Sequence, residues 1–144
     1  MVLKILVLAL LCILVVVSVV MLSQEAPAAI VKGRSMLPLL REGDIVFTIK
    51  CSPSEISVGD IIIYRSKLGG KLVVHRVIDV YYNENEGVYY YVTRGDNNAF
   101  PDYSEFDDVY GVKQTRVVGK VLSINNYVFK IPYIGNLALI LRGS

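Results

Sequence analysis

The stretch KLVVHRVIDVYY, residues 71–82, decides how this chain is read. Val, Ile and Tyr dominate it, the residues that fit a pleated, half-buried surface. Gly69 and Gly70 punctuate it on one side and NENEG, residues 83–87, on the other, so it is expected to be a strand. The run is too apolar to leave a whole face in water. The chain's one histidine, His75, stands in its middle, and an imidazole among such neighbours costs desolvation unless it has partners. His75 is therefore either a satisfied core group or a base.

Outward from this stretch the same composition recurs in residues 44–50 (DIVFTIK), 60–65 (DIIIYR), 88–94 (VYYYVTR) and 116–125 (RVVGKVLSIN), with a short apolar run at 29–32. The expected class is mainly β: a coiled two-layer β-domain or partly open barrel over 29–130. Gly-Asp-Ile occurs twice, at Gly43-Asp44-Ile45 and Gly59-Asp60-Ile61, and reads as a tight turn feeding a strand.

The N-terminus is of another kind. Residues 5–22 carry no charge, and as a helix they are about 27 Å long, close to the ~30 Å hydrocarbon core of a bilayer. Residues 1–22 are read as a transmembrane anchor and 23–28 as a linker, with Pro27 blocking continuation of the helix. Ala26, Ala28 and Ala29 resemble a signal-peptide cleavage site, but the apolar run exceeds the about 7–15 residues of a cleaved h-region. Lys4 before the run, and Gln24 and Glu25 after it, favour a cytoplasmic N-terminus and an extracytoplasmic domain. Residues 131–144 are apolar but too short to span. They are expected in the membrane interface, with Lys130, Tyr133 and Arg142 as anchors.

Bulk properties exclude several classes. The chain has 144 residues, suiting one core beyond the anchor. Net charge is +2; of 15 Lys and Arg only Lys4 precedes residue 23, and 13 Asp and Glu balance the rest, so no nucleic-acid footprint is present. Cys12 lies in the membrane run and Cys51 far outside it, which leaves no disulfide framework. With one histidine no His-rich metal site is expected, and no cofactor is expected either.

Three positions can carry chemistry. Ser35 lies in GRSMLPLL, residues 33–40, where Gly33 and Pro38 forbid regular backbone; it is a turn serine bonded to its own backbone or a presented hydroxyl. Asp96 and Asp102 lie in GDNNAFPD, residues 95–102, an irregular Asx-rich loop. A serine needs a base within about 3 Å to attack. Histidine takes that proton near neutral pH, and a carboxylate behind the ring fixes its tautomer. Spacing alone does not bring these groups together.

The motifs carry a family resemblance. Gly33-x-Ser35-Met36-x-Pro38-x-Leu40 resembles the catalytic-serine box of type I signal peptidases, and Arg41-Glu42-Gly43-Asp44-Ile45-Val46 the box that follows it. Val74-His75-Arg76-Val77 is similar to the general-base box. Arg94-Gly95-Asp96-Asn97-Asn98, then Asp102 and Val118-Gly119-Lys120-Val121, resemble the last box. Histidine rather than lysine in the base box is the mark of the archaeal and endoplasmic-reticulum branch. Lys71 shares a strand face with His75 at spacing four, so a lysine base is the alternative, disfavoured by its place beside Gly70.

The resemblance implies a signal-peptidase/LexA-like fold and a serine endopeptidase cutting signal peptides from exported preproteins after small side chains. Ser35 would be the nucleophile, His75 the base and then the acid, and Asp102 the carboxylate orienting the ring, with Asp96 holding the loop. The Ser35 N–H would serve the oxyanion. Many relatives place a hydroxyl two residues earlier; Gly33 stands there, so another donor is expected. Gly33, Met36, Val74 and Ile30 are the expected substrate-binding residues. The expected partners are preprotein signal peptides, the lipid bilayer and, in a eukaryotic setting, other signal-peptidase-complex subunits. The short chain favours a single-subunit enzyme of the archaeal cell membrane over the reticulum. The rivals are a catalytically silent anchored peptide-binding subunit and a LexA-type Ser-Lys self-cleaving peptidase.

Overall fold

The computed structural model describes residues 2–22, 28–124 and 127–132. The expected linker apart from Ala28, and the expected interfacial residues Tyr133 and Arg142, lie outside the described residues. Helix α1, Val2–Leu22, is exposed on every side chain described and is long and apolar enough to cross a membrane. Its one hydroxyl, Ser18, donates to the Leu14 carbonyl at 2.8 Å, satisfying itself within the helix.

The strands are β1 (Ala28–Ile30), β2 (Ile45–Ile49), β3 (Ile61–Arg65), β4 (Leu72–Asn83), β5 (Val88–Arg94), β6 (Val112–Lys113), β7 (Val117–Val121), β8 (Ser123–Ile124), β9 (Tyr127–Val128) and β10 (Lys130–Ile131). The main sheet runs β1-β2-β7-β3-β4-β5-β6, all antiparallel, with β10 on β2 beside it; β8 and β9 form a separate hairpin. The expectation of a mainly β fold behind one apolar helix is met.

Strand β3 shows why the sheet needs cover on both faces. Ile61 and Ile63 pack with Val31, Met36, Leu40, Val46 and Val121 on one side. Ile62 and Tyr64 point to the other, among Ile56, Val77, Tyr91 and Val112. This is the continuous apolar signature of a strand buried on both faces.

The twin Gly-Asp-Ile turns share one construction. Gly43 and Gly59 adopt φ of +89° and +98°, values that favour glycine. Asp44 accepts from the Arg41 N–H at 3.0 Å and Asp60 from the Ser57 N–H at 2.8 Å. Each carboxylate also takes a lysine from a distant strand, Lys130 on Asp44 at 2.7 Å and Lys120 on Asp60 at 2.9 Å.

Several boundaries differ from the sequence reading. Ala28, read as linker, opens β1 opposite Phe47. The expected strand 116–125 begins after a 3-10 turn, Gln114–Arg116, and breaks at Leu122, whose N–H bonds the Phe47 carbonyl. Ile131, read as the start of the apolar tail, pairs with Ile45. Lys130, expected as an interface anchor, has its ammonium held by Asp44, whose side chain is fully buried, and by the Leu39 carbonyl at 2.7 Å.

Candidate active site

Ser35 is presented by a turn pinned at both ends. Gly33 enters it at φ +80°, and Met36 and Leu40 bury their side chains in the core. The Leu40 N–H donates to the Met36 carbonyl at 2.8 Å. A second loop grips the turn from outside. The Asn97 N–H donates to the Ser35 carbonyl at 2.8 Å, and the Asn97 amide to the Arg34 carbonyl at 3.2 Å. A Cβ on Gly95 would stand 2.6 Å from the Ser35 carbonyl oxygen, so only glycine lets the two loops touch.

His75 is placed by β4. It pairs with Ile62 of β3, and alternation sends its ring to the face that holds Val73 and Val77. The pairs Tyr64 with Val73 and Val77 with Thr93 then set Tyr64 and Thr93 on either side of it. Asp102 follows β5 and is tied back to it, its N–H on the Thr93 carbonyl at 2.9 Å.

These elements bring three side chains into one line. His75 Nε2 lies 2.9 Å from Ser35 Oγ, and His75 Nδ1 lies 2.6 Å from Asp102 Oδ2. A proton on Nδ1 leaves Nε2 free to accept from the serine hydroxyl. The His75 and Asp102 side chains are only 11% and 10% exposed, so the ion pair that forms on protonation is shielded from water. Among the described residues no cluster of His, Cys, Asp or Glu has the makings of a metal site.

Asp96 does not join this line. Its two oxygens meet Arg76 Nε and Nη2 at 2.7 Å each, and Arg76 Nη1 donates to the Gly59 carbonyl at 2.7 Å. The fork raises the Arg76 pKa above its ordinary value, chiefly through the hydrogen bonds it donates to Asp96. Asp96 thus anchors the loop that grips Ser35 to the residue following His75.

A groove of about 690 Å³ opens from the serine. Ile30, Met36 and Val74 line it with Ser35 and His75; Gly33 is not on its wall. Lys32, Lys71 and Leu72 line it too, and sequence reading did not mark them as substrate contacts. The groove lies between the outer edge of β1, which pairs only with β2, and residues 72–75 of β4, which lie beyond the reach of β5. Alternation along the sheet gives both walls one direction, each running toward the serine end.

Relatives bear on this geometry. No protein-family model matches the chain. It is 27% identical over 125 residues to the signal peptidase complex catalytic subunit SEC11C of Homo sapiens, covering 86% of this chain and 62% of the relative. To SEC11 of Clavispora lusitaniae it is 29% identical over 119 residues, covering 83% of this chain and 68% of the relative. To SEC11 of Candida dubliniensis it is 30% identical over 124 residues, covering 85% of this chain and 69% of the relative. The chain belongs to the family of signal peptidase catalytic subunits. The resemblance read from the four boxes is borne out at that level. This signal peptidase family member spans 62% of the length of its mammalian relatives.

Proposed function

We propose that this chain is a membrane-anchored serine endopeptidase that removes N-terminal signal peptides from exported preproteins. The observation that carries the reading is the unbroken contact from Ser35 Oγ through the His75 ring to Asp102. Family membership and an N-terminal helix able to cross a membrane support it.

The peptide enters the groove extended and adds as a strand between β1 and residues 72–75 of β4. Shallow walls made by Ile30, Met36 and Val74 favour small side chains near the cut. Nε2 of His75 takes the Ser35 proton as the oxygen attacks the scissile carbonyl. Asp102 holds the tautomer and stabilises the imidazolium without taking its proton. The Ser35 N–H bonds the developing oxyanion. The imidazolium then protonates the leaving amine, and a water deprotonated by His75 releases the acyl half. The helix holds the site near the bilayer with the N-terminus cytoplasmic, an orientation supported by Lys4 before the apolar run.

The test is processing of a preprotein by purified full chain in vesicles. Ser35→Ala and His75→Ala are expected to lower kcat by at least about a thousandfold, with Lys71→Ala retaining activity. Undiminished processing by Ser35→Ala overturns the reading.

A further inference from the structure

Asp102 does more than touch the histidine. Its Oδ2, the oxygen 2.6 Å from His75, also accepts from Thr93 Oγ1 at 2.7 Å and from the Tyr64 hydroxyl at 3.1 Å. Both hydroxyls are fully buried, and they stand 3.4 Å apart. Three donors thus converge on one oxygen of Asp102, whose side chain is only 10% exposed. We infer that Tyr64 and Thr93 are positioning residues that set the basicity of the Asp102–His75 pair, and through it the pH range in which Ser35 can be activated.

Two hydroxyl dipoles aimed at Oδ2 draw off part of the charge that would otherwise stabilise an imidazolium. They also disfavour a protonated Asp102, so the proton taken from serine stays on the ring. Both effects have one sign: without the hydroxyls the pair titrates at higher pH. Burial, reinforced by the Asp102 charge, pushes the Tyr64 phenol well above its ordinary value, so it remains a donor throughout the working range.

The other charged groups near the pair are accounted for. Arg76, the neighbour of His75, is bound to Asp96. Lys32 and Lys71 line the groove on the solvent side. Behind Asp102 the Arg116 guanidinium lies 5.7 Å from the Tyr64 ring centre, and it is itself bound to Glu105 and Asp107. Removing one hydroxyl leaves all of these unchanged.

The inference rests on the peptidase reading for its meaning, but its test does not. One histidine in the chain gives one imidazole signal, so its titration is read by NMR on full chain in detergent micelles. Tyr64→Phe and Thr93→Val are each expected to raise the midpoint by about half a unit or more. The acid limb of kcat/KM should move up alongside, with KM at its parent value. Thr93→Ser, which keeps the hydroxyl, should titrate as the parent does. A merely structural role would lower the melting temperature and leave the midpoint in place. Unmoved or lowered midpoints in both folded variants overturn the inference while the peptidase reading stands. If one variant does not fold, the other decides alone. Processing that survives Ser35→Ala overturns the peptidase reading, and the imidazole titration still decides the role of the two hydroxyls.

Discussion

Gly95 is the residue on which the position of Ser35 turns. A methyl group there meets the Ser35 carbonyl oxygen at 2.6 Å and Ser35 Cβ at 2.9 Å, well inside contact distance. Neither neighbour is the free end of a long side chain, so the Ser35 turn must shift. Positioning errors near 1 Å cost about a hundredfold in rate. Gly95→Ala is therefore expected to reduce kcat about a hundredfold while leaving the melting temperature within a few degrees, checked by peptide cleavage and calorimetry. Asp102→Asn should cut kcat further, by about ten-thousandfold, because an amide can present its N–H to Nδ1 and trap the wrong tautomer. At this scale the sequence was partly readable. Ser35, His75 and Asp102 stood out through motif order, whereas Gly95 was no more than one letter of a motif. Tyr64 and Thr93 did not, since each looks like ordinary strand filling in DIIIYR and VYYYVTR. Only the pairing register places them beside His75, and register is a property of two strands at once.

Among elements, the segment after β5 carries an ionic clasp. Burial tends to raise the Glu105 carboxyl, but bonds from the Ser66 hydroxyl, the Lys67 N–H and Arg116 outweigh it and hold the group below its ordinary value. A depressed folded value makes the clasp's contribution complete above the ordinary glutamate range and lost as pH falls through the folded value. Glu105→Gln should accordingly flatten the acid side of a plot of melting temperature against pH. Arg116→Ala strands a buried carboxylate and should cost about 3 kcal/mol at neutral pH, read by denaturant unfolding. The short strands β6, β9 and β10 escaped sequence reading for a physical reason. Two residues of β-former cannot be told from loop, and their pairing comes from the neighbours they meet. The apolar run of β3 was legible because burial on both faces leaves a continuous signal, and β4 and β5 because Val, Ile and Tyr fill them between clear breakers.

For the whole molecule, the helix and the β-domain are joined by a short link between Leu22 and Ala28. On the proposed membrane-anchored function, so short a tether would limit the height of the serine above the bilayer and raise the effective concentration of a membrane-held substrate. Inserting about ten Gly and Ser residues in this link should slow processing of a bilayer-embedded preprotein several-fold and blur its cleavage position by mass spectrometry. Cleavage of a water-soluble peptide bearing the same site should not change.

The groove walls have one more consequence. Both are strand edges with backbone groups left unpaired by any described strand, running side by side toward the serine. Only a chain whose own amides are still unpaired can lie between them. If the proposed function holds, a preprotein already collapsed around its junction would be invisible to this site, whatever its side chains. On the proposed peptidase function, such an enzyme would read conformational youth as well as sequence, and maturation would have to outrun folding.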